Sequence, residues 1–144
     1  MAELCLVRPT RMQRFSLVFT FAAAALLGLL AIVAPVWIHD LRRYTAPLFP
    51  LIRSGVEGMS LLTLVFLFCT GFLVGCFGVG HPLLLGIATV ALLPILAIAE
   101  MCVSSTTHNL WPLEFMIYGL ISLCAVAGAF AGRFAMRLVR TTKV

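Results

Sequence analysis

Apolar positions along this chain form long uninterrupted runs, and charged positions are confined to the segments between them. Four runs contain no Asp, Glu, Lys or Arg, at 15–37, 58–80, 82–99 and 115–132. Each reaches or approaches the roughly 20 residues that a helix needs to cross a hydrocarbon core of about 30 Å. The pattern therefore predicts an all-α integral membrane protein, folded as a four-transmembrane-helix bundle.

The polar segments between the runs predict one membrane domain, 1–144, with short connections. Outer loops are expected at about 38–57 and 100–114, and tails at 1–14 and 133–144. Gly78, Gly80 and Pro82 predict a tight turn between the second and third runs. The third run is the weakest of the four because it is short and contains Pro94, whose missing N–H frees a carbonyl that a neighbouring group must satisfy.

The distribution of Lys and Arg predicts the orientation. The two tails hold seven of these residues, the first outer loop holds three, and the loop after the third run holds none. Because cytoplasmic segments carry more Lys and Arg, both termini are expected in the cytoplasm. A cleaved signal peptide is the alternative for the first run. The run is longer than a signal sequence requires, and Pro35 would follow the cleavage point, so a retained anchor is favoured.

Composition sets the class of protein. The chain is 62% hydrophobic and 10% charged, whereas about a quarter of the residues of a soluble domain are charged. The net charge of +5 lies at segment ends without a basic, aromatic face, so no nucleic-acid partner is expected. The five cysteines are scattered without a C-x-x-C pair, which disfavours a disulfide framework. Short loops and the lack of a glycosylation acceptor favour the bacterial inner membrane.

A weak internal repeat relates the second and fourth runs. With an offset of 57 residues, Glu57 falls on Glu114, Gly71 on Gly128 and Gly75 on Gly132, within five identities over positions 57–77. Chance can also produce such a match when the best offset is selected. If the match is real, the chain consists of two tandem helical hairpins related by a pseudo-twofold axis along the membrane normal.

Small residues recur at helical spacing in the same two runs. Close backbone approach drives helix association in lipid, so such stripes predict packing of the second run on the fourth, or of one subunit on another. The expected helix-packing residues are Gly71, Gly75, Gly78, Ser122, Ala125, Gly128, Ala129 and Gly132.

Most reactive side chains are predicted on the outer side. Glu57 and Glu114 are expected in the first turns of their helices, where the helix dipole favours a carboxylate, or facing each other to bind a cation or a basic partner residue. No recognised metal-ligand spacing occurs, so no cofactor is predicted and a metal stays unknown. The candidate outer-face site is Glu57, Glu114, Glu100, His39, Asp40 and His108.

The first outer loop mixes arginines with apolar residues. It is expected to lie on the outer leaflet or contact a partner through Arg42, Arg43 and Arg53, with Trp111 at interface depth in the next loop. An ordinary loop tucked over the bundle is the alternative. The expected partners are the lipid bilayer and another membrane protein, or a second copy of the chain.

The predicted interior of the runs contains no Asp, Glu, Lys, Arg or His, which disfavours a proton-coupled pump. Three functions remain. The leading hypothesis is a non-enzymatic accessory, assembly or regulatory subunit of a membrane complex. The first alternative is a homo-oligomeric small transporter or channel with carboxylates in its outer vestibule, and the second is a metal or redox site on the outer surface.

Overall fold

The computed structural model describes residues 11–38, 48–103 and 111–142, and within these ranges the chain is helical, with no strand. Two of the helices, α2 and α4, start at a proline, a residue that suits the first helical position because its missing N–H would have no intrahelical partner there. The helices are α1 (Arg11–Ile38), α2 (Pro50–Glu57), α3 (Leu61–Phe77), α4 (Pro82–Val90), α5 (Leu92–Val103) and α6 (Trp111–Thr141).

Three stretches are long and apolar enough to cross a membrane: Phe15–Ile38, Pro82–Val103 and Pro112–Thr141. A fourth is obtained if α2 and α3, which meet at an angle of 107°, count as one bent span. α3 alone has 17 residues, the lower limit of about 17 for a spanning helix. The prediction of an all-helical chain with several apolar spans is confirmed, and three to four spans fit a multi-pass membrane protein.

The span Pro82–Val103, formed by α4 and α5, has a break in its helical hydrogen bonding at Ala91. The Ala91 amide donates to the carbonyl of Ala88 at 3.2 Å, a tighter step than that of an α-helix. Pro94 lacks the N–H that would bond the Val90 carbonyl four residues earlier. The buried Thr89 hydroxyl donates to the Gly86 carbonyl at 2.6 Å. The span therefore accommodates its proline by a one-residue break.

α3 and α6 form the most extensive helix contact, and α4 packs against both α6 and α1. Fully buried side chains of three helices, Ile32, Leu67 and Leu85, fill the centre. Many large apolar side chains on the outer faces, such as Phe19, Leu30 and Leu120, are exposed, as expected when lipid is the solvent.

Two expectations about the outer segments are wrong. Glu57 does not lie in the first turn of the second span, because α2 ends at Glu57 and α3 begins only at Leu61. Ser60 precedes α3, and its amide donates to the Thr63 hydroxyl at 3.3 Å. Glu100 does not begin a loop, since α5 continues to Val103 and the Glu100 side chain is only 5% exposed.

The described part of the first outer loop lies against the bundle. Ser54 and Gly55 of α2 are buried, and a Cβ atom at Gly55 would lie 2.7 Å from the Ile32 carbonyl oxygen of α1. The alternative of a loop tucked over the bundle therefore holds for residues 48–57. Arg42 and Arg43, two of the arginines expected at the lipid or at a partner, lie outside the described residues.

Candidate functional site

An acidic pocket lies at the end of the bundle, lined by α2, by one face of α5 from Leu93 to Glu100 and by the first turns of α6. Its cavity has a volume of about 30 Å³, room for one or two water molecules or a bare cation. Apolar side chains of α2 and α5 form most of its wall, and its polar groups are three glutamates, an arginine and a tyrosine. The polar residues lining it are Arg53, Glu57, Glu100, Glu114 and Tyr118.

Arg53 and Glu57 form an ion pair within α2. Their spacing of four residues puts both side chains on one helix face, and Nε of Arg53 donates to Oε1 of Glu57 at 2.6 Å. Burial of Arg53 by itself lowers its pKa. The hydrogen bond and charge of Glu57, with the charges of Glu100 and Glu114, outweigh this effect, so the pKa of Arg53 is raised above its ordinary value.

Glu100 and Glu114 approach the pocket from opposite helix ends. Glu114 lies in the first turn of α6, as predicted for it, where the positive end of the helix dipole favours a carboxylate. Glu100 lies in the last turn of α5, where the dipole disfavours a negative charge. With all groups ionised, three carboxylates and one guanidinium give a formal charge of −2, which attracts a cation.

The structure brings together part of the predicted outer-face site. Glu57, Glu100 and Glu114 line one pocket, whereas His39, Asp40 and His108 lie outside the described residues. Across 11–38, 48–103 and 111–142, no group of three or more His, Cys, Asp or Glu side chains has the arrangement to hold a metal ion.

Two pocket residues were not recognised from the sequence. Arg53 was assigned to lipid or a partner, yet it pairs with Glu57; the i, i+4 spacing of opposite charges was the available signal. Tyr118 lies one turn after Glu114 on α6, is 9% exposed, and packs against Phe115 with ring centroids 5.9 Å apart. Trp111, expected at interface depth, is the first residue of α6.

Most of the predicted helix-packing residues lie between α3 and α6. A Cβ atom built on Gly71 or Gly75 would overlap the carbonyl oxygen of Ala125 or Ala129, respectively. On α6, a Cβ atom built on Gly128 or Gly132 would likewise overlap the carbonyl oxygen of Phe68 or Phe72 of α3, respectively. The two glycine pairs thus let the backbones approach within one chain.

The remaining predicted packing residues have other neighbours. Gly78 follows the last residue of α3, and its amide donates to the Val74 carbonyl at 2.7 Å. Ser122 lines a groove that also contains Pro94, and its hydroxyl donates to the Gly119 carbonyl at 2.6 Å. Gly78 and Ser122 therefore lie outside the contact that Gly71 and Gly75 of α3 make with α6.

Comparison of the chain with protein-family models, with curated proteins and with solved structures finds no match.

Proposed function

We propose that this chain is a non-enzymatic integral membrane protein that acts as an accessory, assembly or regulatory subunit of a membrane complex. The observation that carries the proposal is the filled interior. Ile32, Leu67, Leu85 and Thr63 are at most 1% exposed, at positions along the length of the bundle. The acidic pocket, at about 30 Å³, is far below the roughly 300 Å³ at which organic ligand pockets begin.

The proposal includes two tandem hairpins, α1 with α3 and α4–α5 with α6, related by a pseudo-twofold axis. The α3–α6 contact supports it. In the repeat, Gly71 is equivalent to Gly128, and Phe68 is equivalent to Ala125, each 57 residues apart. Gly71 contacts Ala125, and the equivalent pair, Gly128 and Phe68, is also in contact. The same equivalence relates the contact of Gly75 with Ala129 to that of Gly132 with Phe72. Two parallel helices related by a twofold axis make such reciprocal contacts.

This symmetry does not extend to the outer end. Glu57 ends the short helix α2, whereas Glu114 lies in the first turn of the long helix α6. The two glutamates therefore have different backbone environments although they occupy equivalent positions in the repeat. We propose the repeat for the α3 and α6 segments around their glycines.

The proposed location is the bacterial inner membrane, with both termini in the cytoplasm. The excess of Lys and Arg in the two tails, seven against three in the first outer loop, supports this orientation. It places the acidic pocket on the outer side, where Arg53, Glu57 and Glu114, which are not buried, can contact a partner protein.

Reconstitution into liposomes tests the proposal against its main alternative. A subunit with a filled interior should give no flux of K⁺, Na⁺ or glycerol above that of protein-free liposomes. Flux that scales with the amount of protein would overturn the proposal. The experiment uses the full chain, with incorporation checked by flotation.

A homo-oligomeric transporter or channel is the second candidate, and the acidic pocket is the observation that favours it. Its formal charge of −2 would concentrate cations at the outer end. In that case the double variant Glu57→Gln with Glu114→Gln should reduce cation flux several-fold and leave glycerol flux unchanged. Equal cation flux in the double variant and the native chain would remove the carboxylates from the mechanism.

A further inference from the structure

The opposite end of the bundle carries a basic pocket between the α3–α4 turn and the C-terminal part of α6. Its cavity has a volume of about 530 Å³, within the size range of small-molecule sites. Positively charged or hydrogen-bonding side chains line one part of it and phenylalanines another. The residues lining it are Gly80, His81, Pro82, Phe130, Arg133, Phe134 and Arg137.

Arg133 is held in place by the turn. Its Nη2 atom donates to the carbonyl oxygens of Gly80 at 2.6 Å and of Gly78 at 3.2 Å. Gly80 has a φ of 133°, a conformation that favours glycine, so the turn is suited to present this carbonyl. A guanidinium has five N–H donors in a planar fork. The Arg133 side chain is thus oriented by Nη2 and keeps the donors of Nε and Nη1, which make no hydrogen bond to a described residue.

Two further groups complete the donor set. Arg137 follows Arg133 by one helical turn and is exposed. His81 precedes α4, and its Nδ1 accepts from the Leu83 amide at 3.3 Å. Because Nδ1 is the acceptor, the proton of the neutral imidazole is on Nε2, which is therefore a donor. The pocket thus combines two guanidinium groups with an imidazole N–H.

The described residues supply no carboxylate at this end. The described glutamates, Glu57, Glu100 and Glu114, all line the acidic pocket. The counter-ion for Arg133 and Arg137 must therefore come from outside the described part of the chain. Arginine forks match the oxygens of a phosphate in two-pronged hydrogen bonds.

The depth of the pocket indicates a lipid as the source of that phosphate. Arg133 follows Pro112 by 21 residues, about 32 Å along the α6 axis, slightly more than the roughly 30 Å of the hydrocarbon core. Arg133 therefore lies at the level of the lipid headgroups. Phe130 and Phe134 line the same pocket, and both are exposed, so an acyl chain can run along α6 beside the headgroup.

We propose that the basic pocket of Arg133, Arg137 and His81 binds the phosphate of an anionic phospholipid, with Phe130 and Phe134 against its acyl chains. Pockets of this composition between helices at the cytoplasmic interface suit anionic headgroups. Arg133 and His81 are the pre-positioned donors, and Arg137 closes the site from the exposed side. The proposal goes beyond the accessory function and does not depend on it.

Native mass spectrometry of the full chain in mild detergent tests the site, with phosphatidylglycerol and phosphatidylcholine as the probes. Phosphatidylglycerol should bind at least about tenfold more tightly: both lipids carry a phosphate, but the trimethylammonium group of phosphatidylcholine places a like charge beside the two arginines and cancels the net charge of the headgroup. Equal binding of the two lipids would overturn the proposal. Inorganic phosphate at millimolar concentration should not displace phosphatidylglycerol, and displacement would overturn the assignment to a lipid.

Arg140 provides a matched control for Arg137, because both are exposed arginines of α6 and Arg140 does not line the pocket. Arg137→Gln should weaken phosphatidylglycerol binding about tenfold, and Arg140→Gln by less than about twofold. Arg137→Lys keeps the charge but loses the planar fork, so its binding should lie between that of the native chain and that of Arg137→Gln. Equal losses in the two Gln variants would show a diffuse charge effect and overturn the site.

Discussion

The glycine contact between α3 and α6 makes the sharpest stability prediction. In Gly75→Ala, the new Cβ would lie 2.8 Å from the Cα and carbonyl carbon of Ala129, and nearer still to its carbonyl oxygen. Ordinary Cβ contacts lie at 3.4 Å or more, so the two helix backbones must separate by at least 0.6 Å. A gap of that size removes a quarter to a half of the dispersion attraction between the facing atoms.

The expected loss follows from two opposing effects. Overpacking of a tight contact costs about 1–3 kcal/mol, while replacing glycine by alanine inside a helix gains at most about 1 kcal/mol. Gly75→Ala should therefore lower the free energy of unfolding by up to about 3 kcal/mol. The measurement is equilibrium unfolding from mild detergent into dodecyl sulfate, followed by far-ultraviolet circular dichroism.

Gly119 is the matched control, because a Cβ there meets nothing within 4 Å. Gly119→Ala should be neutral or stabilising by up to about 1 kcal/mol. If the two variants unfold at the same dodecyl sulfate fraction, the α3–α6 backbones are not in close contact and the packing argument fails.

Three further predictions concern other parts of the chain. Gly28→Ala should destabilise the bundle by up to about 3 kcal/mol in the same assay after the same helix gain is subtracted, because its Cβ would overlap a backbone carbonyl of α4. An unfolding curve equal to that of Gly119→Ala would contradict the α1–α4 packing. Arg53→Gln should lower the free energy of unfolding by less than about 1 kcal/mol, because the ion pair with Glu57 is partly exposed, with 24% and 33% of the two side chains accessible. A larger loss in the unfolding assay would contradict this and show that Arg53 is needed to neutralise the carboxylates of the pocket. In variants that keep one cysteine, an impermeant maleimide added to spheroplasts should label Cys102, which is exposed at the end of α5. It should not label Cys69, which lies within the apolar helix α3, where a water-soluble reagent does not reach. Labelling of Cys102 only after permeabilisation would reverse the orientation.

The positions of the membrane-spanning helices could be predicted because a span requires a long apolar run, which is visible without knowing its neighbours. The ends of the helices could not be predicted in the same way, because a helix can continue past the charged residue that ends an apolar run. Glu100 follows a charge-free run, but α5 continues for three more residues and Glu100 is buried. It lines a pocket together with residues of the short helix α2, which the sequence pattern did not predict.

The glycine stripes predicted a close helix contact but could not identify its partner. A stripe on one helix fits any backbone that approaches it, in the same chain or in another copy. The structure places α6 against Gly71 and Gly75, so these glycines are used within the chain. The acidic pocket was predictable only in part for a related reason. Arg53, Glu100 and Glu114 lie on three separate helices, and their proximity follows from the fold.

We propose that this filled bundle works as a subunit of a larger membrane assembly, and one measurement tests this most directly. A tagged copy of the full chain should be purified in mild detergent from the membrane in which it normally resides, and its mass measured under native conditions. The account predicts a second polypeptide at fixed stoichiometry, retained when the detergent is exchanged. A pure homo-oligomer with no other polypeptide attached would contradict the account and favour the transporter.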